Sequence, residues 1–277
     1  MMITNHQMDR MHQIQMDILR QVIAACDALN LQWFFVHGSL LGAVTTGKFM
    51  PMDDDIDLAM PRKDYEILLA EGHKYIDPRY FIQAGTTDPL YPLSFAKVRD
   101  GATTYVAELL RNIPMHHGMF IDIFPMDFCP AGTLRRKLTG LRTSLLTIRI
   151  SRTFAYAKRS KKTRLLQALA TVLCPSCKAA IRRRDALYGA VSQGKTLTLT
   201  GGKAKEQAIP AQWFRDYDTV SFEGVDVRIP REYDAYLTRI YGNYRERTLL
   251  ENKAHDDSQV EINACIWDPD KPYSHYV

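Results

Sequence analysis

Four carboxylates fall within five positions at Asp53-Asp54-Asp55-Ile56-Asp57, and a Gly38-Ser39 pair stands just upstream, at the end of an apolar run. Like charges this close repel and raise one another's pKa unless a cation neutralises them, so the cluster has no structural benefit of its own. In an extended segment residues 53, 55 and 57 share one face, while Ile56 and Leu58 point the other way. Asp55 and Asp57 would then grip a hard divalent ion on a sheet surface, with Ile56 and Leu58 anchored beneath. Oxygen donors of this kind suit Mg²⁺ or Mn²⁺, ions that usually also bind substrate phosphates. The plainer reading is a solvated acidic turn. The apolar residues that follow, Leu58-Ala59-Met60, argue against it because they read as a buried strand.

A further carboxylate, Asp122, sits in the middle of the apolar run Gly118-Met-Phe-Ile-Asp-Ile-Phe-Pro125. Charged and unpaired, it would cost on the order of several kcal/mol there, so it requires a partner. The ion held by Asp55 and Asp57 is the obvious one, which makes Asp55, Asp57 and Asp122 the candidate catalytic and metal-binding set. Phe95, Lys97 and Arg99 share a face of a strand, so two cations project together, either towards bound phosphates or onto an exposed face. His37 reads as a core or supporting histidine, and His255 as an exposed loop residue.

These side chains need particular elements to position them. Met11, Ile14, Ile18, Val22, Ala25 and Leu29 have the spacing of an amphipathic helix over residues 8–29. Residues 33–37 read as a buried strand that Gly38-Ser39 ends, and residues 39–44 as the first turns of a helix. A strand, glycine turn and helix start offer free backbone N–H groups to an anion. A second strand is expected over residues 55–59, then a helix opened by Pro61 and stopped by Gly72. Asp100-Gly101 predicts a hairpin between strands 94–99 and 103–107. Residues 131–190 read as helical, 222–230 as a turn and strand, 231–241 as a helix, and the last thirty residues as polar and irregular. The best boundary lies near 130, with residues 1–130 as a catalytic core and 131–277 as a mainly helical basic region plus strand and helix elements packing on that core.

A chain of 277 residues, 46% hydrophobic and 24% charged, has an ordinary globular composition. It has no apolar run long enough to span a membrane and no signal-peptide core near residue 1, so a cytoplasmic protein is expected, at most peripheral on the inner membrane face. Five cysteines in that setting read as reduced thiols, and the lone Cys174-x-x-Cys177 as packing residues rather than a zinc site. The net charge of +5 hides a segregation: no acidic residue lies between Asp127 and Asp185, an interval with fifteen Lys or Arg. Cations interleaved with Leu, Ile and Phe suit an anionic surface such as lipid headgroups. A nucleic-acid groove or a merely solvated helix face are the competing readings.

The chain resembles the LicD family of phosphotransferases. The resemblance rests on residues 37–44, on 49–57 with the aspartate cluster, on Met60-Pro-Arg-Lys-Asp-Tyr65 and on Ala96-Lys-Val-Arg-Asp100. Residues 118–125, 222–230 and Tyr241-Gly-Asn-Tyr244 extend it along nearly the whole chain. It implies an α+β fold with a nucleotidyltransferase-like core, a small mixed sheet flanked by helices. It also implies metal-dependent transfer of phosphocholine or a similar phospho-alcohol from a CDP-activated donor to a sugar hydroxyl of a cell-surface glycan, or of its lipid-linked precursor, with release of CMP. Asp55, Asp57 and Asp122 would hold Mg²⁺ or Mn²⁺, and Gly38, Ser39, Lys97 and Arg99 would contact the donor. Thr45 and Met52 stand where the family commonly has arginine and tryptophan, so a basic phosphate ligand is missing unless Lys48 substitutes for it. Asn243 replaces a frequent aspartate. No nucleic-acid partner is expected. Competing readings are nucleotidyl transfer from an NTP with release of pyrophosphate, a metal-dependent glycosyltransferase, and a non-enzymatic basic membrane-binding module that leaves the three aspartates unexplained.

Overall fold

The computed structural model describes residues 1–51, 53–156, 159–199, 208–246 and 259–276. A short strand, β1 (Met2–Thr4), leads into α1 (Asn5–Ala28), where Thr4 and Gln7 close a reciprocal capping box. The apolar stripe of α1 is buried from Met8 through Cys26. Strand β2 (Phe34–Phe35) follows, then α2 (His37–Thr45), β3 (Asp57–Pro61) and α3 (Arg62–Glu71), which ends at Gly72. Next come β4 (Tyr80–Gln83), β5 (Ala96–Asp100), β6 (Thr104–Ala107) and the ten-residue β7 (Met119–Phe128).

One mixed sheet positions the functional residues. Its order is β2-β3-β7-β5-β4, with β3 and β7 parallel and the other pairs antiparallel. Strand β7 is central, and nearly all its residues are buried because both faces are covered. Helix α1 crosses β7 and β5, and α3 packs on β3 and β7. This mixed sheet flanked by helices is the arrangement expected.

Three helices, α4 (Thr133–Ile150), α5 (Lys161–Leu173) and α6 (Cys177–Tyr188), follow the sheet and share a small core of Ile150, Cys174, Ala180 and Ile181. The chain then returns. Strand β8 (Thr196–Thr198) pairs with the end of β7 and with β9 (Ile209–Pro210). Strands β10 (Tyr217–Phe222) and β11 (Val225–Pro230) form a hairpin whose Glu223-Gly224 turn has φ of 48° and 76°, the left-handed pair that a tight two-residue turn requires. Phe222 from this hairpin packs edge-on against Phe35 at 5.1 Å. Helix α7 (Tyr233–Tyr241) buries Tyr236 and Leu237, while β12 (Gln259–Glu261) pairs with β1 and β13 (Ala264–Asp268) with β6.

Three expectations change. The Asp100-Gly101 turn exists, but β5 and β6 do not pair: β5 lies between β4 and β7, and β6 runs with β13. The Asp100 carboxylate binds Arg79 and the Ala102 N–H, which turns the chain out of the sheet instead of back along it. Strand β3 begins at Asp57, so Asp55 lies in the bend before it. The last thirty residues are not wholly irregular, since β12 and β13 complete two edge pairings with Val260, Ile262 and Ala264 buried. Residues 222–230 hold the turn and strand expected, the strand being the second arm of a hairpin with β10. Met52, Lys158 and His255 lie outside the described residues.

Candidate active site

Sheet register builds the site. Asp57 on β3 stands directly beside Asp122 on β7, and Asp122 stands directly beside Lys97 on β5. Three ionisable side chains therefore occupy one rung across three strands and, by the pleat, one face. Asp55, two residues before Asp57, reaches the same face from the bend. One carboxylate oxygen from each of Asp55, Asp57 and Asp122 lies within 4.8 Å of the others. Two oxygens sharing a Mg²⁺ at about 2.1 Å are at most about 4.2 Å apart, so small side-chain rotations bring the set onto one ion.

Charge is unbalanced here. Lys97 Nζ donates to Asp122 Oδ1 at 2.5 Å, and both groups are buried. Fully ionised, the three carboxylates would face one ammonium with a net charge of about −2. Burial holds Asp55 and Asp57 well above the usual carboxylate range, and repulsion from neighbouring carboxylates pushes the same way. Burial also raises Asp122, against the pull of Lys97, and lowers Lys97 against the pull of Asp122. An all-oxygen set with two negative charges in excess fits a hard divalent cation held by Asp55, Asp57 and Asp122.

The first turn of α2 is tied to this rung. Ser39 is buried, and its Oγ accepts from the Asp57 N–H at 2.9 Å, so Ser39 fixes the start of β3. A Cβ on Gly38 would meet the Asp53 carboxylate at 2.3 Å, so glycine is needed for that carboxylate to lie over the turn. His37 takes φ of 50° as the chain turns into α2, and burial pulls its imidazole down to about 4. Its Nδ1 lies 3.3 Å from the Tyr236 hydroxyl, a supporting role of the kind expected.

Other candidates lie further out. Arg99 is buried: Nε donates to Gln83 Oε1 and NH1 to the Gly118 carbonyl, both at 2.5 Å. An exposed hairpin face is therefore excluded for Lys97 and Arg99, because β5 is an interior strand. Lys97 Nζ also sits 3.2 Å from the Phe120 ring centroid, a cation–π contact that holds the ammonium in place. Lys48 is exposed in the loop after α2, and the Thr45 hydroxyl is bonded within α2 to the Leu41 carbonyl.

Sequence reasoning missed the clamps on the acidic loop. Gln15 of α1 donates to the Asp54 carbonyl at 2.7 Å, His12 Nε2 lies 2.8 Å from the Asp53 carbonyl, and the Tyr105 hydroxyl donates to Asp54 Oδ2 at 3.0 Å. His12 is stacked on Phe49 at 3.7 Å. Gln15 had a signal: a polar residue next to Ile14 and Ile18 in a buried stripe needs a partner. Arg62 and Asp127 were missed too. Their two parallel hydrogen bonds, 2.7 and 2.6 Å, pin α3 to β7.

Comparison with known proteins bears on this geometry. Residues 30–128, which hold the whole rung and the glycine turn, match the family profile described as "LicD/FKTN/FKRP, nucleotidyltransferase domain". Over these residues the chain is similar to that family. It is also 25% identical, over 257 residues, to the protein named lipopolysaccharide cholinephosphotransferase LicD of Haemophilus influenzae. That similarity covers 89% of this chain and 95% of the relative, so it extends beyond residues 30–128 into the helices that follow.

Proposed function

We propose that this protein is a phosphotransferase that moves phosphocholine, or a similar phospho-alcohol, from a CDP-activated donor to a sugar hydroxyl of a surface glycan or its lipid-linked precursor. The observation that carries this reading is the rung of Asp57, Asp122 and Lys97 with Asp55 beside it, an anionic pocket two charges in excess. The relative's name, a cholinephosphotransferase acting on lipopolysaccharide, supports the donor group and the acceptor class. In the reaction the acceptor oxygen bonds to the distal phosphorus of the diphosphate, the bond from that phosphorus to the bridging oxygen breaks, and CMP leaves.

A Mg²⁺ or Mn²⁺ bound by Asp55, Asp57 and Asp122 would neutralise the diphosphate and the charge developing on the leaving oxygen. The protein's own groups do the rest. Asp122, oriented by Lys97, also takes the proton of the incoming hydroxyl. Lys97 fixes the orientation of Asp122 and adds positive charge beside the phosphates. Ser39 holds the start of β3, and the Gln15, His12 and Tyr105 contacts hold residues 53 and 54, so Asp55 and Asp57 are placed before substrate arrives. Such preorganisation avoids reorganisation when the phosphorus is attacked.

The test is product analysis. Incubated with CDP-choline, CDP-ribitol or CDP-glycerol, a glycan acceptor and Mg²⁺, the protein should release CMP from at least one donor. Release of pyrophosphate from CTP, with no CMP from any of the three, would instead make it a nucleotidyltransferase.

A further inference from the structure

The three helices that follow the sheet expose more aliphatic surface than anything else described in the molecule. On α4, Leu134, Leu138 and Leu141 lie at i, i+4 and i+7 and are 71%, 47% and 60% exposed. On α5, Leu165, Leu169 and Val172 repeat that spacing at 72%, 52% and 76%. Both sets form single helical stripes. The helices meet at an open groove of about 460 Å³ whose lining includes Leu145, Leu146, Leu173 and Leu187, together with Arg142 and Arg183. None of the helices is long and apolar enough to cross a membrane.

The charge around these stripes has one sign. Arg149 and Arg184 are used internally, donating to the backbone carbonyls of Cys174, Pro175, Pro92 and Leu93, and Arg159 donates to that of Phe154. Arg135, Lys137 and Arg142 on α4 and Lys161, Lys162 and Arg164 on α5 are exposed, and no acidic residue occurs from 128 to 184. Among the described residues none of these six has an ion-pair partner.

We propose that α4 and α5 dock this protein in-plane on an anionic lipid bilayer, with their leucine stripes inserted at the acyl boundary and the flanking cations on the headgroups. Two aliphatic stripes with cationic flanks are the composition of an interfacial helix. A second copy is disfavoured, because two such faces would bring like charges together across the seam. A nucleic-acid strand is disfavoured because it would recruit aromatic stacking platforms rather than leucines. The inference does not depend on the reaction proposed above, since lipid binding is read without turnover.

Vesicle cosedimentation tests it with the full chain. The protein should sediment with phosphatidylglycerol–phosphatidylcholine vesicles and stay in solution with phosphatidylcholine alone. Binding should fall at least tenfold when salt rises from about 0.1 M towards 1 M, because the screening length shrinks from about 10 Å to about 3 Å. A Leu165→Glu/Leu169→Glu/Val172→Glu variant, altered only at exposed positions, should keep its melting temperature and lose binding. A Lys161→Gln/Lys162→Gln/Arg164→Gln variant should bind about a hundredfold more weakly, at about one screened headgroup attraction per cation. The proposal is overturned if the wild type ignores anionic vesicles, if neutral vesicles bind equally well, or if both variants bind like the wild type. It is also overturned if light scattering shows a dimer that the glutamate variant converts to a monomer, since the face would then belong to a second copy.

Discussion

At the residue scale, the cluster of Asp55, Asp57 and Asp122 costs stability while its charges stand unneutralised. Burial and mutual repulsion raise the Asp55 and Asp57 carboxyls in the folded protein. A carboxyl whose folded pKa is raised binds its proton more tightly folded than unfolded, so stability falls as pH rises through the interval between the two values. Removing one charge should relieve this. Asp55→Asn and Asp57→Asn should each melt higher than the metal-free wild type at pH 7, and the gain should shrink as pH drops towards the ordinary aspartate range of about 4. Each should also lose more than about a hundredfold in turnover, as expected when a preorganised charge-stabilising group is removed. Thermal melts at pH 7 and pH 4, with and without Mg²⁺, check the first part: Mg²⁺ should raise the wild-type melting temperature and leave the variants unmoved. Variants that melt lower at pH 7 without metal would mean that the carboxylates are satisfied within the protein.

At the element scale, the rung works because α3, β7 and α1 are locked to one another. Arg62 supplies one lock, and Asp127, buried and raised by desolvation, depends on it. Arg62→Ala should cost about 3–5 kcal/mol at pH 7, because it leaves a buried carboxylate uncompensated. An added Asp127→Asn should recover most of the loss, since the buried charge is then gone. A double-mutant cycle by urea unfolding reads both effects, and additive losses would show that the two side chains do not depend on each other. This lock was not legible beforehand. Arg62 opens a surface helix and Asp127 ends a strand sixty-five residues later, and no local pattern links them. The junction at Gly38-Ser39, by contrast, was readable as the passage from an apolar strand into a helix, although both residues already lie in the first turn of α2. Its more specific use, Ser39 accepting from Asp57 while Asp53 lies over Gly38, was not, because it depends on which strand β2 pairs with.

At the scale of the whole molecule, the sequence announced its central strands and hid its edges. Strand β7 was legible because eight of its ten residues are apolar and have few other places to go. Asp122 was legible as a carboxylate in need of a partner, although the partner expected was a metal ion and Lys97 was not foreseen. The pairings β6–β13 and β1–β12 escaped because strands of three to five residues show too little alternation, and their partners lie more than 150 positions away. The segregation of charge after residue 127 was plain, but not the division of its arginines between internal struts and an open face. The most direct measurement on this molecule is anomalous diffraction from crystals soaked in Mn²⁺. A single strong peak should stand within about 2.2 Å of carboxylate oxygens from Asp55, Asp57 and Asp122, and should vanish in Asp57→Asn crystals. No peak there, or one elsewhere that survives the substitution, would contradict the assignment of this rung as the metal centre.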